Sequence, residues 1–187
     1  MKVNITETAI PGVLLIETSS YKDRRGYFKE LFHAEDCRST GLDHTFVQDN
    51  LSCSSKNVLR GLHYQLNTPQ GKLVSVLSGE IYDVAVDIRK GSPTFLNWIG
   101  YRLSERNNLM LYIPGGFAHG FCSLADESRV LYKCTDFYRA GDQYGILWSD
   151  ERLGIKWPVS DPVISAKDSG NPSVSRIPEA NFPEYIK

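Results

Sequence analysis

Hydrophobic and polar residues alternate along most of the chain with the period of two that is typical of β-strands. The clearest example is the stretch from Leu73 to Ile88. In its second half the even-numbered residues 82–88 are aliphatic or aromatic, whereas the odd positions carry Asp83, Ala85 and Asp87. This alternation favours a sheet with one face in the core. Ser78-Gly79, in the middle of the stretch, predicts a two-residue hairpin turn.

Further strands are predicted between turns that contain glycine or proline. They cover residues 13–16, 27–32, 46–52, 98–103, 108–113, 117–122 and 128–135. Residues 34–40, which end at Gly41, are the best candidate for a short helix. Many short strands at fairly even spacing predict an all-β sandwich or barrel, and we favour a jelly roll.

A chain of 187 residues is long for one domain and short for two. We therefore expect a single jelly-roll domain over residues 1–187, with a barrel core at about 45–150. After Trp157-Pro158 the periodicity fades and prolines recur at positions 162, 172, 178 and 183. This pattern predicts an irregular C-terminal arm over about 158–187, partly packed back on the barrel.

Charge and cysteine content exclude several classes of protein. With 21 basic and 22 acidic side chains, the chain has no general attraction for nucleic acid or for an anionic membrane. No apolar run approaches the roughly 20 residues of a membrane span. The four cysteines lack paired short spacings, and the N-terminus does not resemble a signal peptide. We expect a soluble cytoplasmic protein with reduced thiols.

The strongest candidate for chemistry is a cluster of three cationic or proton-carrying side chains, Arg60, His63 and Lys72. Arginine and lysine are rarely buried without a partner, so packing alone explains the cluster poorly. Each residue has an ordinary alternative, however: a structural histidine, a solvated lysine or a surface ion pair. A catalytic His63 needs a carboxylate to orient its ring, and Asp168 in the C-terminal arm is a candidate if the arm reaches back.

A metal site is the main rival interpretation of a histidine in a jelly roll. Metal-binding barrels of this shape supply two histidines one residue apart, then a carboxylate and a third histidine. Here His63 is followed by Tyr64-Gln65, and His33, His44 and His119 are scattered. We therefore expect no metal.

Segments spread in order over nearly the whole chain resemble the nucleotide-sugar 3,5-epimerase family. They comprise residues 23–30, 46–50, 58–65, 70–74, 79–87, 92–95, 116–121, 131–133, 145–148 and 165–168. The resemblance implies a cupin-like jelly roll, no metal or organic cofactor, and a homodimer whose subunits exchange N-terminal strands. It also implies inversion of C3 and C5 of a dTDP-4-keto-6-deoxy sugar, in the route to dTDP-L-rhamnose. An epimerase of C3 or C5 alone on another nucleotide sugar, and a non-catalytic or metal-dependent sugar-binding module, are the alternatives.

The resemblance also implies roles for individual residues. His63 is the base, Asp168 orients it, Lys72 meets the enolate oxygen, and Tyr132 returns the proton from the opposite face of the sugar. The remaining implied contacts are to the substrate. Arg60 and His119 lie at the sugar, and Arg25 and Lys167 lie near the phosphates or the nucleotide. Glu30, Gln48 and Asn50 surround the base and the sugar, and Tyr138 stacks on the pyrimidine.

Two positions depart from the family's pattern. Gln143 stands beside the expected nucleotide site where the family usually has a glutamate, which leaves nucleotide specificity open. Gly115 stands where Pro-Glu-Gly is usual, and there we expect little consequence beyond local charge.

Overall fold

A computed structural model describes residues 3–186 of the chain, and strands dominate it. The thirteen strands are β1 Val3–Glu7, β2 Leu14–Thr18, β3 Ser20–Asp23, β4 Gly26–Lys29, β5 Gln48–Ser54, β6 Leu59–Gln65, β7 Lys72–Ser78, β8 Glu80–Asp87, β9 Trp98–Ser104, β10 Leu109–Ile113, β11 Phe117–Ser123, β12 Ser128–Cys134 and β13 Gln143–Gly145. Two short helices, α1 Ala34–Ser39 and α2 Ala166–Ser169, and three single 3₁₀ turns complete the elements.

Most strands belong to two antiparallel sheets. The six-stranded sheet has the order β1-β2-β10-β7-β12-β5, and the five-stranded sheet has the order β13-β6-β11-β8-β9. Apolar side chains of both sheets pack in one shared cluster, so the sheets face each other as in a jelly roll. The predicted all-β, cupin-like fold is thus confirmed. The strands β1 and β2, which precede the predicted core at 45–150, form one edge of the larger sheet.

The hairpin predicted at Ser78-Gly79 is wrong. β7 pairs with β10 and β12 in one sheet, whereas β8 pairs with β11 and β9 in the other. Gly79 has a φ of 80°, and a Cβ on it would lie 2.7 Å from Ser128 Oγ. The glycine is needed here for a sharp corner between sheets. A serine-glycine pair permits a corner as well as a hairpin, so local sequence could not separate the two.

Strand β8 is buried on both faces of the five-stranded sheet, and the expectation of a single core face for residues 82–88 is therefore wrong. Val84 and Val86 pack outward under the C-terminal arm, against Val174 and Phe182 among others. Ala85 packs inward between the sheets. The face of β8 that carries the aspartates is consequently the interior face of the sandwich.

The outer face of the six-stranded sheet is covered by α1 and the loop after it. Cys37 of α1 and Leu42 pack there against Ile16, Leu73 and Met110. The helix begins as predicted at residue 34. His33 Nδ1 caps it by accepting the Asp36 N–H at 3.3 Å.

Strands β3 and β4 form a separate hairpin that pairs with no other strand of the described chain. Its aromatic side chains Tyr21, Tyr27 and Phe28 are 60%, 59% and 67% exposed. A two-stranded ribbon with an uncovered apolar surface is marginal on its own. The hairpin therefore lacks a packing partner within residues 3–186.

All four cysteines are free thiols. Three of them, Cys37, Cys122 and Cys134, are buried, and Cys53 is exposed. Among residues 3–186, no helix is long and apolar enough to cross a lipid bilayer.

Candidate active site

Polar side chains form a layer inside one end of the sandwich, next to the apolar core between the sheets. Lys72 on β7 and Tyr132 on β12 come from the six-stranded sheet, and His63 and His119 from β6 and β11 of the five-stranded sheet. Their inward direction follows from the period of two. Val74, Phe121 and Val130, each two positions from one of these residues, lie in the core between the sheets.

A pocket of about 560 Å³ opens over this layer. All the site residues predicted from the sequence line it except Arg25 and Glu30. They are Gln48, Asn50, Arg60, His63, Lys72, His119, Tyr132, Tyr138, Gln143, Lys167 and Asp168. Residues 163–165, Gln70 and Ser52 also line the pocket, and sequence reasoning did not single them out as site residues.

The C-terminal arm does reach back to His63. Asp168 Oδ1 lies 2.7 Å from His63 Nε2, and its other oxygen accepts the Gly61 N–H at 3.1 Å. Asp168 is buried on the short helix α2, whose first turn is capped by Ser165 Oγ accepting the Asp168 N–H. Burial lowers the pKa of His63, and the contact with Asp168 opposes that shift. His63 is therefore held as a neutral, oriented ring.

A close approach of two strands places His63 beside His119. The two histidines are register partners on β6 and β11. Near them, Gly61 has a φ of 118°, and a Cβ on it would lie 2.6 Å from Gly120 Cα. Only glycine fits at this crossing. The Gly61 N–H stays available there for Asp168.

A second histidine–aspartate pair lies deeper in the same layer. His119 Nε2 is 2.7 Å from Asp83 Oδ1, and both residues are buried. Asp83 Oδ2 has no hydrogen-bond partner among the described residues. Sequence reasoning missed Asp83 because the alternation in β8 favoured its apolar face as the core face.

The side chains of Lys72 and Tyr132 make no hydrogen bond to any other residue that the structure describes. Burial lowers the pKa of Lys72, while Cys134 and Asp83 raise it. Burial raises the pKa of Tyr132, so its hydroxyl stays protonated at neutral pH. Both groups thus face the pocket with free hydrogen-bonding capacity.

The pocket mouth carries a connected set of polar side chains. Gln48 Oε1 accepts the Tyr138 N–H at 2.8 Å, and Gln48 Nε2 donates to Asn50 Oδ1 at 2.9 Å. Gln143 Oε1 accepts from the Tyr138 hydroxyl at 3.1 Å and from Lys167 Nζ. These contacts hold the half-exposed Tyr138 ring over the mouth.

Arg60 contributes at the rim of the pocket. Its Nε donates to Ser54 Oγ at 3.1 Å, and its Nη2 to the Cys53 carbonyl at 3.3 Å. The guanidinium is exposed on the pocket side, so it remains available to a ligand there.

Arg25 and Glu30 do not join the pocket within the chain. Arg25 lies in the turn of the β3–β4 hairpin, where it forms an ion pair with Asp23 at 2.6 Å. Its side chain is 84% exposed. Glu30 follows β4, and its Oε1 is buried without a hydrogen-bond partner among the described residues. The structure therefore separates these two predicted binding residues from the others.

The arrangement suits acid–base chemistry on a polar ligand. An oriented imidazole, a buried cationic amine and a protonated phenol face one pocket from three strands. Among residues 3–186, no group of three or more His, Cys, Asp or Glu side chains is placed to hold a metal ion. The fold is thus a jelly roll whose pocket holds the groups that an acid–base enzyme needs.

Comparison with known proteins identifies the family. The family model for dTDP-4-dehydrorhamnose 3,5-epimerase matches residues 7–176. The chain is 51% identical over 168 residues to the Shigella flexneri dTDP-4-dehydrorhamnose 3,5-epimerase, covering 89% of this chain and 93% of that one. The chain belongs to the dTDP-4-dehydrorhamnose 3,5-epimerase family.

Solved structures agree with this assignment. A Legionella pneumophila 3,5-epimerase in complex with dTDP-4-keto-L-rhamnose superposes with a TM-score of 0.96 at 46% identity, covering 100% of both chains. A Streptomyces bikiniensis 3′-monoepimerase in complex with dTDP-quinovose superposes with a TM-score of 0.86 at 30% identity, covering 95% of this chain and 92% of that one.

Proposed function

We propose that this protein inverts both C3 and C5 of dTDP-4-keto-6-deoxy-D-glucose, giving dTDP-4-keto-L-rhamnose on the route to dTDP-L-rhamnose. One observation carries the proposal: His63 and Tyr132 come from opposite sheets and line the same pocket. Inversion of a carbon needs one group to remove a proton and another to return one from the other face. A sugar between the two sheets meets one such group on each side.

The proposed reaction begins at His63. The Asp168 carboxylate accepts a hydrogen bond from His63 Nε2. Nε2 therefore carries the ring proton, and Nδ1 is the basic atom. The C4 keto group acidifies the hydrogens at C3 and C5, so Nδ1 takes a proton and the electron pair of the C–H bond moves onto the keto oxygen. The resulting enolate is the intermediate at each carbon.

Lys72 and Tyr132 complete each inversion. The Lys72 ammonium lies in the pocket to meet the enolate oxygen, and a fixed donor at such an oxygen contributes about 100- to 1,000-fold. The Tyr132 hydroxyl then gives its proton to the carbon as the enolate collapses to the ketone. His63 and Tyr132 return to their starting protonation states through solvent before the second carbon reacts. No metal or organic cofactor is needed at any step.

The nucleotide is proposed to lie at the pocket mouth. There Tyr138 is half exposed and suited to stacking on the pyrimidine, with Gln48 and Asn50 beside it. Lys167 and Arg60 supply positive charge for the diphosphate and the sugar. Gln143 replaces the family's usual glutamate. Its side-chain oxygen still accepts hydrogen bonds from both Tyr138 and Lys167, which supports the proposal that these two residues keep their place beside the nucleotide.

We further propose a homodimer in which the exchanged element is the β3–β4 hairpin. β1 and β2 pair within the chain, whereas the hairpin presents exposed aromatic rings and carries Arg25 away from the pocket. Insertion of the hairpin into a second copy covers these rings and brings Arg25 and Glu30 to the partner's nucleotide site. The four free thiols and the nucleotide-sugar substrate support a cytoplasmic location.

Mixing two inactive variants tests the exchange. Arg25→Ala and His63→Ala are each expected to be inactive as homodimers. After unfolding and refolding together, half of the dimers are mixed and hold one complete site, so about a quarter of wild-type activity returns. No recovery, or a monomer by light scattering, contradicts the exchange.

Hydrogen exchange at the two carbons tests the activity itself. Incubated with dTDP-4-keto-6-deoxy-D-glucose in deuterated water, the enzyme is expected to incorporate deuterium at both C3 and C5, as followed by NMR. The family's structural neighbours include a 3′-monoepimerase, so a single-centre epimerase is the second candidate. Label at only one carbon, or turnover only with a different nucleotide sugar, would favour that candidate.

A further inference from the structure

Asp83 is a buried carboxylate that the proposed reaction does not yet use. It lies on the interior face of β8 with no exposed surface. Its Oδ1 binds His119, and its Oδ2 is buried without a hydrogen-bond partner among the described residues. An unsatisfied carboxylate oxygen in a protein interior is costly, and it usually indicates a functional constraint.

Several of the groups around Asp83 line the pocket. His119 on β11 binds it directly, and His63 on β6 is the register partner of His119. Phe121 and Tyr101 are its own register partners on the strands at either side. From the facing sheet come Lys72 and its neighbour Cys134.

Lys72 is the cation that we pair with the negative charge of Asp83. Among residues 3–186 its ammonium has no ion-pair partner and no hydrogen bond, although the residue is partly buried. Burial lowers the pKa of Lys72, and the charges of Cys134 and Asp83 counteract that effect. The thiol is neutral near pH 7 unless its pKa is lowered, and burial raises the pKa of Cys134. This leaves Asp83 as the anion that faces Lys72.

We propose that Asp83 is a positioning residue of the reaction, which fixes the His119 ring through Oδ1 and holds a negative charge opposite Lys72 through Oδ2. The proposal rests on the proposed epimerase function. Before the reaction, Asp83 balances the buried ammonium. When the enolate forms, Lys72 lies between two oxyanions, one in the substrate and one in the protein, and stays charged throughout.

Asp83→Asn tests this role because it keeps the size of the side chain and removes the charge. We expect kcat to fall about 10- to 100-fold, as for other partners that orient an active-site group, with a smaller change in KM. The basic limb of the pH profile of kcat should also move to lower pH. The physical reason is that Lys72 loses its proton more readily without the nearby anion.

Asp87→Asn is the matched control. Asp87 lies on the same strand and the same face and is equally buried, but it binds Arg89, Ser92 and Thr94 away from the pocket. This variant should lose stability and keep the wild-type pH profile, with all rates measured below its unfolding temperature. If Asp83→Asn gives the same kcat and the same basic limb as wild type, or if Asp87→Asn shifts that limb equally, the proposal is wrong.

His119→Gln decides the matter if Asp83→Asn does not fold. It removes the contact to Oδ1 and leaves the Asp83 charge in place. We expect weaker substrate binding, with a basic limb at the wild-type position or at higher pH. A basic limb at lower pH contradicts the proposal. The wild-type enzyme must show exchange at C3 and C5 in the same assay, so failure of the proposed function is recognised separately.

Discussion

Two histidine–aspartate pairs lie side by side in this molecule with the same contact, Nε2 to Oδ1 at 2.7 Å. They differ in where their partners come from. The pair of His63 and Asp168 joins a barrel strand to the C-terminal arm, with side chains 26% and 6% exposed. The pair of His119 and Asp83 joins neighbouring strands of one sheet, with side chains 7% and 0% exposed.

This difference in exposure suggests two different uses of a histidine–aspartate pair. A histidine whose ring is partly open can exchange protons with a substrate and then with solvent. A histidine enclosed with its carboxylate serves better as a fixed contact. The distance is the same in both pairs, so our assignment of His63 as the base and His119 as a binding residue rests on exposure and on the origin of the carboxylate.

Removing the two histidines in turn is expected to give the largest contrast. His63→Ala should lower kcat by about 100- to 10,000-fold, because general base catalysis is lost. His119→Ala should act more on KM than on kcat, because we expect it to remove a contact to the sugar. Steady-state kinetics measures both, with thermal unfolding as the check on the fold. Substantial activity in His63→Ala would overturn the assignment of the base.

Tyr132→Phe should separate proton removal from inversion. Loss of the acid is expected to lower net inversion by about 100-fold or more, since general acid catalysis has that size. Deuterium exchange from the His63 side should decline less. Tyr112→Phe is a suitable control, because Tyr112 is buried on the outer face of the same sheet and away from the pocket. Equal loss of exchange and inversion in Tyr132→Phe would instead indicate a role in binding.

Asp168→Asn is expected to lower the rate less than His63→Ala or Tyr132→Phe. It tests whether the carboxylate of the more exposed pair acts through its histidine. We expect kcat to fall about 10- to 100-fold through loss of orientation of His63. Asp168 raises the pKa of His63, so its removal should move the acid limb of the profile to lower pH. Asp142→Asn is the control, because Asp142 is a buried aspartate that holds the loop at Asn67 and Thr68. An acid limb that stays in place, or moves to higher pH, would contradict the proposed coupling.

The smallest expected effect is the position of the acid limb in the wild-type enzyme. Burial lowers the pKa of His63 despite Asp168, so kcat/KM should decline only below the ordinary histidine value of about 6.5. In the unfolded chain this histidine takes up its proton at higher pH than in the folded protein. The free energy of unfolding should therefore decrease as pH falls through about 6.5 towards the folded value. Rate profiles and chemical unfolding over this range measure both, and an acid limb above 6.5 would argue against burial as the dominant influence.

Strand periodicity and turn residues are local properties, and they predicted the class of fold. The resemblance to the epimerase family, rather than any periodicity, named most of the residues that line the pocket. Prediction from the sequence failed where the structure depends on which sheet or segment packs against a given strand. Gly79 has the same local character in a hairpin and in a corner between sheets. Asp83 lies on the less apolar face of β8, and only the C-terminal arm on the other face makes that side the interior.

Long-range contacts set the same limit at the site. Asp168 was a candidate partner for His63, yet 105 residues separate them, and no local pattern fixes such a contact. The separation of Arg25 and Glu30 from the pocket could not be predicted from the sequence either. The resemblance to the family at these residues is a local match, whereas their position depends on how the β3–β4 hairpin packs.

The distance along the chain between His63 and Asp168 also has a consequence during synthesis. At about 5–20 residues per second, the ribosome needs roughly 5–20 s to extend the chain by the 105 positions from His63 to Asp168. During that interval the proposed base lacks the carboxylate that binds its ring and accepts the Gly61 N–H. The nascent chain therefore completes its barrel strands before this pair can form, and we expect any product of premature termination before residue 168 to be inactive.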